Sequence, residues 1–229
     1  MPTVAITGAA GAIGSVTADV FSEAGWTLAL FDYGDENGQA LREQFPDAHV
    51  YTGDLTNASE AKNTFDAAAA DADGLDAVLS IAGGFSMQSA MDATQEDADK
   101  MMDLNFQTLF QTARAAIPHL LDREHGFFLG VSAPAAEEGG AGAALYAASK
   151  GAVAAYVKSL DQEYAEDGLR ASVLYPMGVV DTPDNRDAMP EGDPETWIAP
   201  RELADGMLHL ATRSRRGHIK TLKVHASAS

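Results

Sequence analysis

The sequence predicts one α/β domain, a doubly wound and mostly parallel sheet of seven strands with helices on both faces. Three observations predict it. Strand-like and helix-like segments alternate along 229 residues with no internal repeat and no linker. The first strand-like run stops at a glycine cluster that opens a helix. Further on, Tyr146 and Lys150 stand four apart on an Ala-rich segment, which places them one turn apart on one helical face.

The β-branched run Thr3-Val4-Ala5-Ile6-Thr7 is the first strand, and a helix pattern begins around Ile13. The apolar run Trp26–Phe31 is the second strand and ends at Asp32. A short helix near Asn37–Phe45 leads to a third strand at His49–Tyr51. Ala-rich Ala58–Ala70 is helical, and Leu75–Leu79 is the fourth strand. One long helix lies within Thr94–Leu121, with Pro118 near its end. Phe127–Val131 is the fifth strand, followed by a helix over Tyr146–Ala165 and a sixth strand at Leu169–Tyr175. Pro200-Arg201-Glu202 opens a late helix, and Ile219–Val224 closes the sheet. The domain spans residues 1–229, and the Gly/Pro/Asp-rich stretch 183–200 is its one long irregular loop, an expected lid.

The strand–turn–helix at Gly8-Ala9-Ala10-Gly11-Ala12-Ile13-Gly14 suits a dinucleotide. Glycines let the backbone approach a pyrophosphate, and the helix N-terminus adds N–H groups and partial positive charge. A carboxylate at the tip of the second strand, Asp32, suits a ribose 2′-hydroxyl and repels a 2′-phosphate. NAD(H) is therefore expected over NADP(H). A phenol with a reference pKa near ~10 is a poor acid or base at neutral pH, and a nearby ammonium favours its phenolate. Lys150 would supply that ammonium to Tyr146. By itself a Tyr-x-x-x-Lys pair occurs on many helices, and a glycine turn with a solvated aspartate is the bland alternative at the other end.

Taken together, the two ends resemble the short-chain dehydrogenase/reductase family, and the likeness runs along nearly the whole chain. It implies a Rossmann-type fold, with the pyrophosphate over Gly8, Gly11, Ala12, Ile13 and Gly14. Here the family's usual middle glycine falls on Ala12, and Gly11 stands one place earlier. Asp54-Leu55 looks like the adenine-ring contact, and Tyr33 joins Asp32 beside the ribose. Ser80-Ile81-Ala82-Gly83 replaces the family's Asn-Asn-Ala-Gly, which leaves Ala82 and Gly83 against the cofactor. Asn105 matches the asparagine that kinks a helix and anchors a water relay, with a plain helix kink as the rival role. Pro176, Val179 and Thr182 resemble the loop that receives the nicotinamide carboxamide, with one residue more than usual between Pro176 and Thr182. In this reading Lys150 holds the nicotinamide ribose and lowers the pKa of Tyr146, which supplies the proton as hydride is transferred.

The family's catalytic serine commonly stands thirteen residues before the tyrosine, and that count lands on Ala133. Its neighbour Ser132 points to the opposite face of a strand, so only a one-residue slip brings it into the site. Several departures occur together in dihydropteridine-reductase-like members. These are the Gly8–Gly14 loop, Ala82-Gly83-Gly84-Phe85, Ala133, and Asp181-Thr182-Pro183-Asp184-Asn185-Arg186 through Met189-Pro190 to Trp197. Phe85, Ala133, Met189 and Trp197 are the candidate substrate pocket. The substrate class is a small carbonyl or alcohol, with a pterin-like imine as the alternative. A non-catalytic NAD-binding scaffold is the rival from another class; retention of Tyr146, Lys150 and Asn105 speaks for an enzyme.

Other residues carry less. The six histidines lack metal-ligand spacing and read as solvated or hydrogen-bonded, so no metal is expected. Met87, Met91, Met101 and Met102 are candidates to line a substrate cleft but read first as core filler, and Arg213, Arg215 and Arg216 as a charge patch at a helix C-terminus. The absence of cysteine excludes disulfides and thiolate metal sites. No apolar run reaches the ~18 residues of a membrane span, and no signal-peptide pattern opens the chain. A cytoplasmic setting is expected.

With 34 acidic against 15 basic residues the formal net charge is −19. Such a surface repels nucleic acid and anionic membranes, so neither is an expected partner. The charge is spread over every segment; adaptation to high salt and an ordinary acidic surface are both open. The resemblance also implies a homodimer or homotetramer, formed through helices at Thr94–Ile117 and Tyr146–Ala165. Unfolding and sedimentation in rising KCl read both expectations. Stability that stays flat or falls removes salt adaptation, and a monomer throughout removes the assembly.

Overall fold

All five residues of Thr3–Thr7 are buried, which a strand achieves only when both faces of its sheet are covered. The computed structural model, which describes residues 1–226, shows how. Thr3–Thr7 is β1, at the centre of a sheet with β2 (Thr27–Asp32), β3 (His49–Thr52), β4 (Ala77–Ser80), β5 (Phe127–Val131), β6 (Arg170–Met177) and β7 (Thr221–His225). The order is β3-β2-β1-β4-β5-β6-β7, and every pair is parallel.

Two-residue alternation sorts side chains into two cores. Val4, Ile6, Leu79 and Leu129 pack with Phe21 of α1 (Ala12–Glu23), Leu41 of α2 (Asp35–Gln44), and Leu203 and Met207 of α9 (Pro200–Ala211). Ala5, Val78 and Phe128 face Phe65 of α3 (Ala58–Asp71), Leu109 of α5 (Thr108–Leu121), and Val153 and Val157 of α7 (Ala144–Glu163). In the second core Phe31 stacks between Phe65 at 4.3 Å and Tyr51 at 5.2 Å. Burying one such ring stabilises the fold by about 1.5–3 kcal/mol. Strand order reverses between β1 and β4, and the crevice beyond their carboxyl ends is where this architecture accepts ligands.

Three expectations need correction. The long helix is three pieces. α4 (Gln95–Met102) opens with a Thr94/Asp97 capping box, a π-turn follows at Asp103–Gln107, and α5 resumes the α-helix. The stretch 183–200 is not wholly irregular. It contains α8 (Pro183–Ala188), capped by the Thr182 hydroxyl, and a 3₁₀ turn at Pro194–Thr196. A four-residue helix, α6 (Ala135–Glu138), also lies between β5 and α7. Arg213, just past the end of α9, donates from Nε to the Gly217 carbonyl at 2.9 Å and closes the following turn. Met87 and Met91 are exposed, not core filler, whereas Met101 is buried.

Two histidines are hydrogen-bonded inside the fold: His119 Nε2 meets Asp66 at 2.9 Å and His218 Nε2 meets Asp161 at 2.8 Å. Among the described residues no three His, Asp or Glu side chains gather as a metal site. None of the described helices is long and apolar enough to cross a membrane.

Candidate active site

The glycine loop is shaped by contacts that leave no room for side chains. Gly8 has φ +69°, and a Cβ there would stand 2.9 Å from Ala82 Cα. A Cβ on Gly14 would meet the Gly8 carbonyl oxygen at 2.1 Å, so this first turn of α1 can press against the loop only as glycine. Gly11 is the N-cap, and Ala12 is the first helical residue, a position that tolerates a methyl group. The shifted glycine thus keeps the tight turn. No side chain caps α1 and no acidic residue stands in its first turn, so its N–H groups and partial positive charge face the crevice. A cradle that Cβ atoms would fill, with free amide donors, fits a pyrophosphate.

Asp32 closes β2 beside this loop. Its Oδ2 accepts the Ala10 N–H at 2.8 Å, and its Oδ1 accepts Tyr33 N–H at 2.8 Å and Asn37 Nδ2 at 2.7 Å. Tyr33 is exposed at the strand tip. Asp54 is engaged in its own turn, where Oδ1 accepts from the N–H and hydroxyl of Thr56, while Leu55 is buried in the core. Ala82 is fastened to β1 by donating its N–H to Thr7 Oγ1 at 3.2 Å.

On the opposite side of the crevice α7 presents Tyr146 and Lys150 as its spacing requires. Lys150 is buried and donates from Nζ to the Val131 carbonyl at 3.0 Å. A Cβ on Gly83 would lie 3.1 Å from that Nζ and 2.5 Å from Asn105 Oδ1, so amine and amide flank the same glycine. Asn105 is buried in the π-turn. Its Oδ1 accepts Gly84 N–H at 3.0 Å; its Nδ2 donates to Gly84 O at 3.0 Å and Ser149 Oγ at 3.1 Å. Ser149 in turn donates to the Tyr146 carbonyl at 2.9 Å. The extra residue of the π-turn swings Asn105 inward to join the strand-end loop to the helix that carries Tyr146.

Burial governs both titrating groups. It pushes the Tyr146 phenol up to about 12 and the Lys150 amine down to about 8. Removing either group from water disfavours its charged form, and desolvation is the cause of both shifts.

Ser132 is not available to a substrate. It is buried beneath α7, and its hydroxyl donates to the Lys150 carbonyl at 2.9 Å. Two-residue alternation sends it there and leaves buried Ala133 at the position counted from Tyr146. Phe85 packs edge-on to the Tyr146 ring, with centroids 4.8 Å apart and planes at 89°. Gln88 N–H donates to the Gly142 carbonyl at 2.7 Å, so the loop after β4 lies against the approach to α7. Trp197 lies over Gly192, where a Cβ would meet its Cζ2 at 2.4 Å, and the Met189 carbonyl is 3.1 Å from the same point. Pro176 lies within β6 opposite Val224, and Val179 O accepts Ile198 N–H at 2.8 Å. Ser149 and Asn37 were given no role by the sequence; only the offsets of Ser149 from Tyr146 and Asn37 from Asp32 hinted at them. Two grooves along α3 and α5, lined partly by Asp66 and His119, contain none of the expected site residues.

A model of the short chain dehydrogenase family matches residues 2–192. The chain belongs to this family. Cyclopentanol dehydrogenase of Comamonas sp. is 30% identical over 184 residues, covering 79% of this chain and 73% of that enzyme. An uncharacterised oxidoreductase of Staphylococcus aureus strain USA300 is 26% identical over 96% of this chain and 94% of its own. The crystal structure of a 3-ketoacyl-(acyl-carrier-protein) reductase from Brucella melitensis, complexed with NADH, superposes with a TM-score of 0.86 at 22% identity. The match covers 98% of this chain and 96% of that one, a likeness of fold. As a short-chain dehydrogenase, the chain is an oxidoreductase built on a Rossmann-like sheet.

Proposed function

We propose that this short-chain dehydrogenase uses NAD(H) to interconvert a small neutral ketone and its secondary alcohol, with Tyr146 as the acid–base group. The observation that carries the reading is the placement of Tyr146. It is a half-buried phenol against the Phe85 ring, one turn from a buried lysine, at the carboxyl edge of a sheet whose opening loop fits a pyrophosphate. A bound nicotinamide would supply or accept the hydride. The protein's own groups manage the proton and the orientation.

At neutral pH the Tyr146 hydroxyl is protonated, the state needed to give a proton to a carbonyl oxygen that is gaining charge, and burial extends that state to higher pH. Lys150 remains largely charged below about 8 and stands beside Asn105 Oδ1 at Gly83, where an ammonium supports a phenolate as it forms. Asn105 and Ser149 hold the backbone of Gly84 and Tyr146 in register, which keeps Phe85 against the phenol. With Ala133 in the usual serine position, the substrate oxygen relies on Tyr146 for its hydrogen bond. The wall of Phe85, Ala133, Met189 and Trp197 is apolar, which suits a neutral compact substrate. Thr182, Pro176 and Val179 border the carboxamide end, and segment 183–200 covers the site as a lid. Asp32 supports NAD(H) over NADP(H), and the NADH found in the Brucella reductase agrees with a nicotinamide cofactor.

Ala133 and the Asp181–Trp197 segment favour a second reading, reduction of a pterin-like imine. The cyclopentanol relative favours the alcohol. NADH oxidation assayed with cyclic and linear ketones beside quinonoid dihydropterin separates the two. Turnover of ketones is expected, and turnover of the pterin alone would replace the first reading by the second. We place the enzyme in the cytoplasm and its subunit contacts on the π-turn, α5 and α7, where Phe106, Phe110 and Tyr156 pack together with Arg114 over Phe110.

A further inference from the structure

An ionised carboxylate offers about four acceptor sites, two on each oxygen. Oδ1 of Asp32 takes two donors, Tyr33 N–H and Asn37 Nδ2, while Oδ2 takes only the Ala10 N–H. One site is therefore left, on the oxygen that leans toward the glycine loop. Asn37 can reach back to Asp32 because of where α2 begins. Gly34 at φ +86° turns the chain and brings no capping side chain, and Asn37 lies in the first turn, donating also to the Tyr33 carbonyl at 3.1 Å. Among the described residues Asn37 is the one side chain that hydrogen-bonds Asp32.

The character of that donor is what matters. An amide orients the carboxylate and leaves its charge intact, whereas a lysine or arginine would neutralise it. The same turn adds Asp35 and Glu36. The cation of α2, Arg42, is directed away, donating to the Val50 carbonyl at 3.2 Å. We propose that Asn37 is a specificity-determining positioning residue. By occupying Oδ1 it aims the open site of Oδ2 at the adenosine ribose hydroxyl of NADH and preserves the negative field that rejects a 2′-phosphate. This rests on the reading that Asp32 meets that ribose.

Fluorescence titration of NADH and NADPH into the wild type, Asn37→Ala, Asn37→Lys and Asp32→Ser tests it. Asn37→Ala should weaken NADH about tenfold and NADPH less than about twofold, with the loss appearing in KM for NADH and not in kcat. Asn37→Lys should tighten NADPH by about tenfold or more. If Asn37→Ala weakens both nucleotides equally, or neither, its role is merely structural and the inference is overturned. If Asp32→Ser leaves the NADH-to-NADPH ratio at the wild-type value, the cofactor reading beneath it falls instead.

Discussion

Replacing Tyr146 with Phe is expected to lower turnover by about 10²–10⁴-fold, the range assigned to a positioned general acid, while NADH affinity changes by less than about twofold. The substitution removes one oxygen. The ring keeps its edge-on contact with Phe85 at 4.8 Å, and the backbone keeps the Ser149 and Asn105 bonds, which do not involve the hydroxyl. Stability should rise or fall by less than about 1 kcal/mol, because Tyr146 is half-buried and the ring keeps its packing. Steady-state kinetics beside a nucleotide titration measure both quantities. Equal turnover in the two proteins would defeat the mechanism, and loss of nucleotide binding along with turnover would make Tyr146 a structural residue. A scaffold without catalysis would show no turnover in either form.

Lys150→Met should lower turnover at least a hundredfold and also change how stability depends on pH. In the fold, burial depresses the amine from its ordinary 10.5 to about 8. Below about 8 the amine carries its proton in both the folded and the unfolded chain, and the buried charge works against the fold. Between about 8 and 10.5 the unfolded chain binds a proton that the folded chain does not, so linkage makes stability rise with pH. The wild type should therefore gain on the order of 3 kcal/mol relative to Lys150→Met across that window. The lost bond to the Val131 carbonyl offsets the comparison by a constant and leaves the slope untouched. Urea unfolding of both proteins at several pH values between 7 and 10.5 measures the difference, and parallel curves would refute a buried, depressed lysine. Carbonyl reduction by the wild type should fall as pH rises through about 8, when the ammonium that supports the phenolate is lost.

Most of the sheet was legible because its signals are local. Runs such as Thr3–Thr7 and Phe127–Val131 are buried on both faces, and only continuous apolar or β-branched stretches satisfy that demand. Gly8 and Gly14 were legible because a left-handed φ and a close backbone approach each require a residue without Cβ. Ser132 was half legible. Strand alternation correctly turned it away from Ala133, but its acceptor, the Lys150 carbonyl, comes from a helix eighteen residues on. The π-turn was legible only as the helix kink that the family resemblance implied at Asn105. The turn lies where Asn105 bonds Gly84 and Ser149, both distant in sequence. Met87 and Met91 were misjudged because residue type alone does not say which side of a loop meets water.

What the sequence by itself determined was spacing and permission. Tyr146 and Lys150 share a face because a helix turns every 3.6 residues, and the opening loop bends where glycine allows it. Only the tertiary structure decided protonation and partnership. The burial that raises the phenol and depresses the lysine, and the Ala10 N–H that binds Asp32, come from segments apart in the chain. Desolvation is a property of everything packed around a group, and no stretch of neighbours encodes it alone.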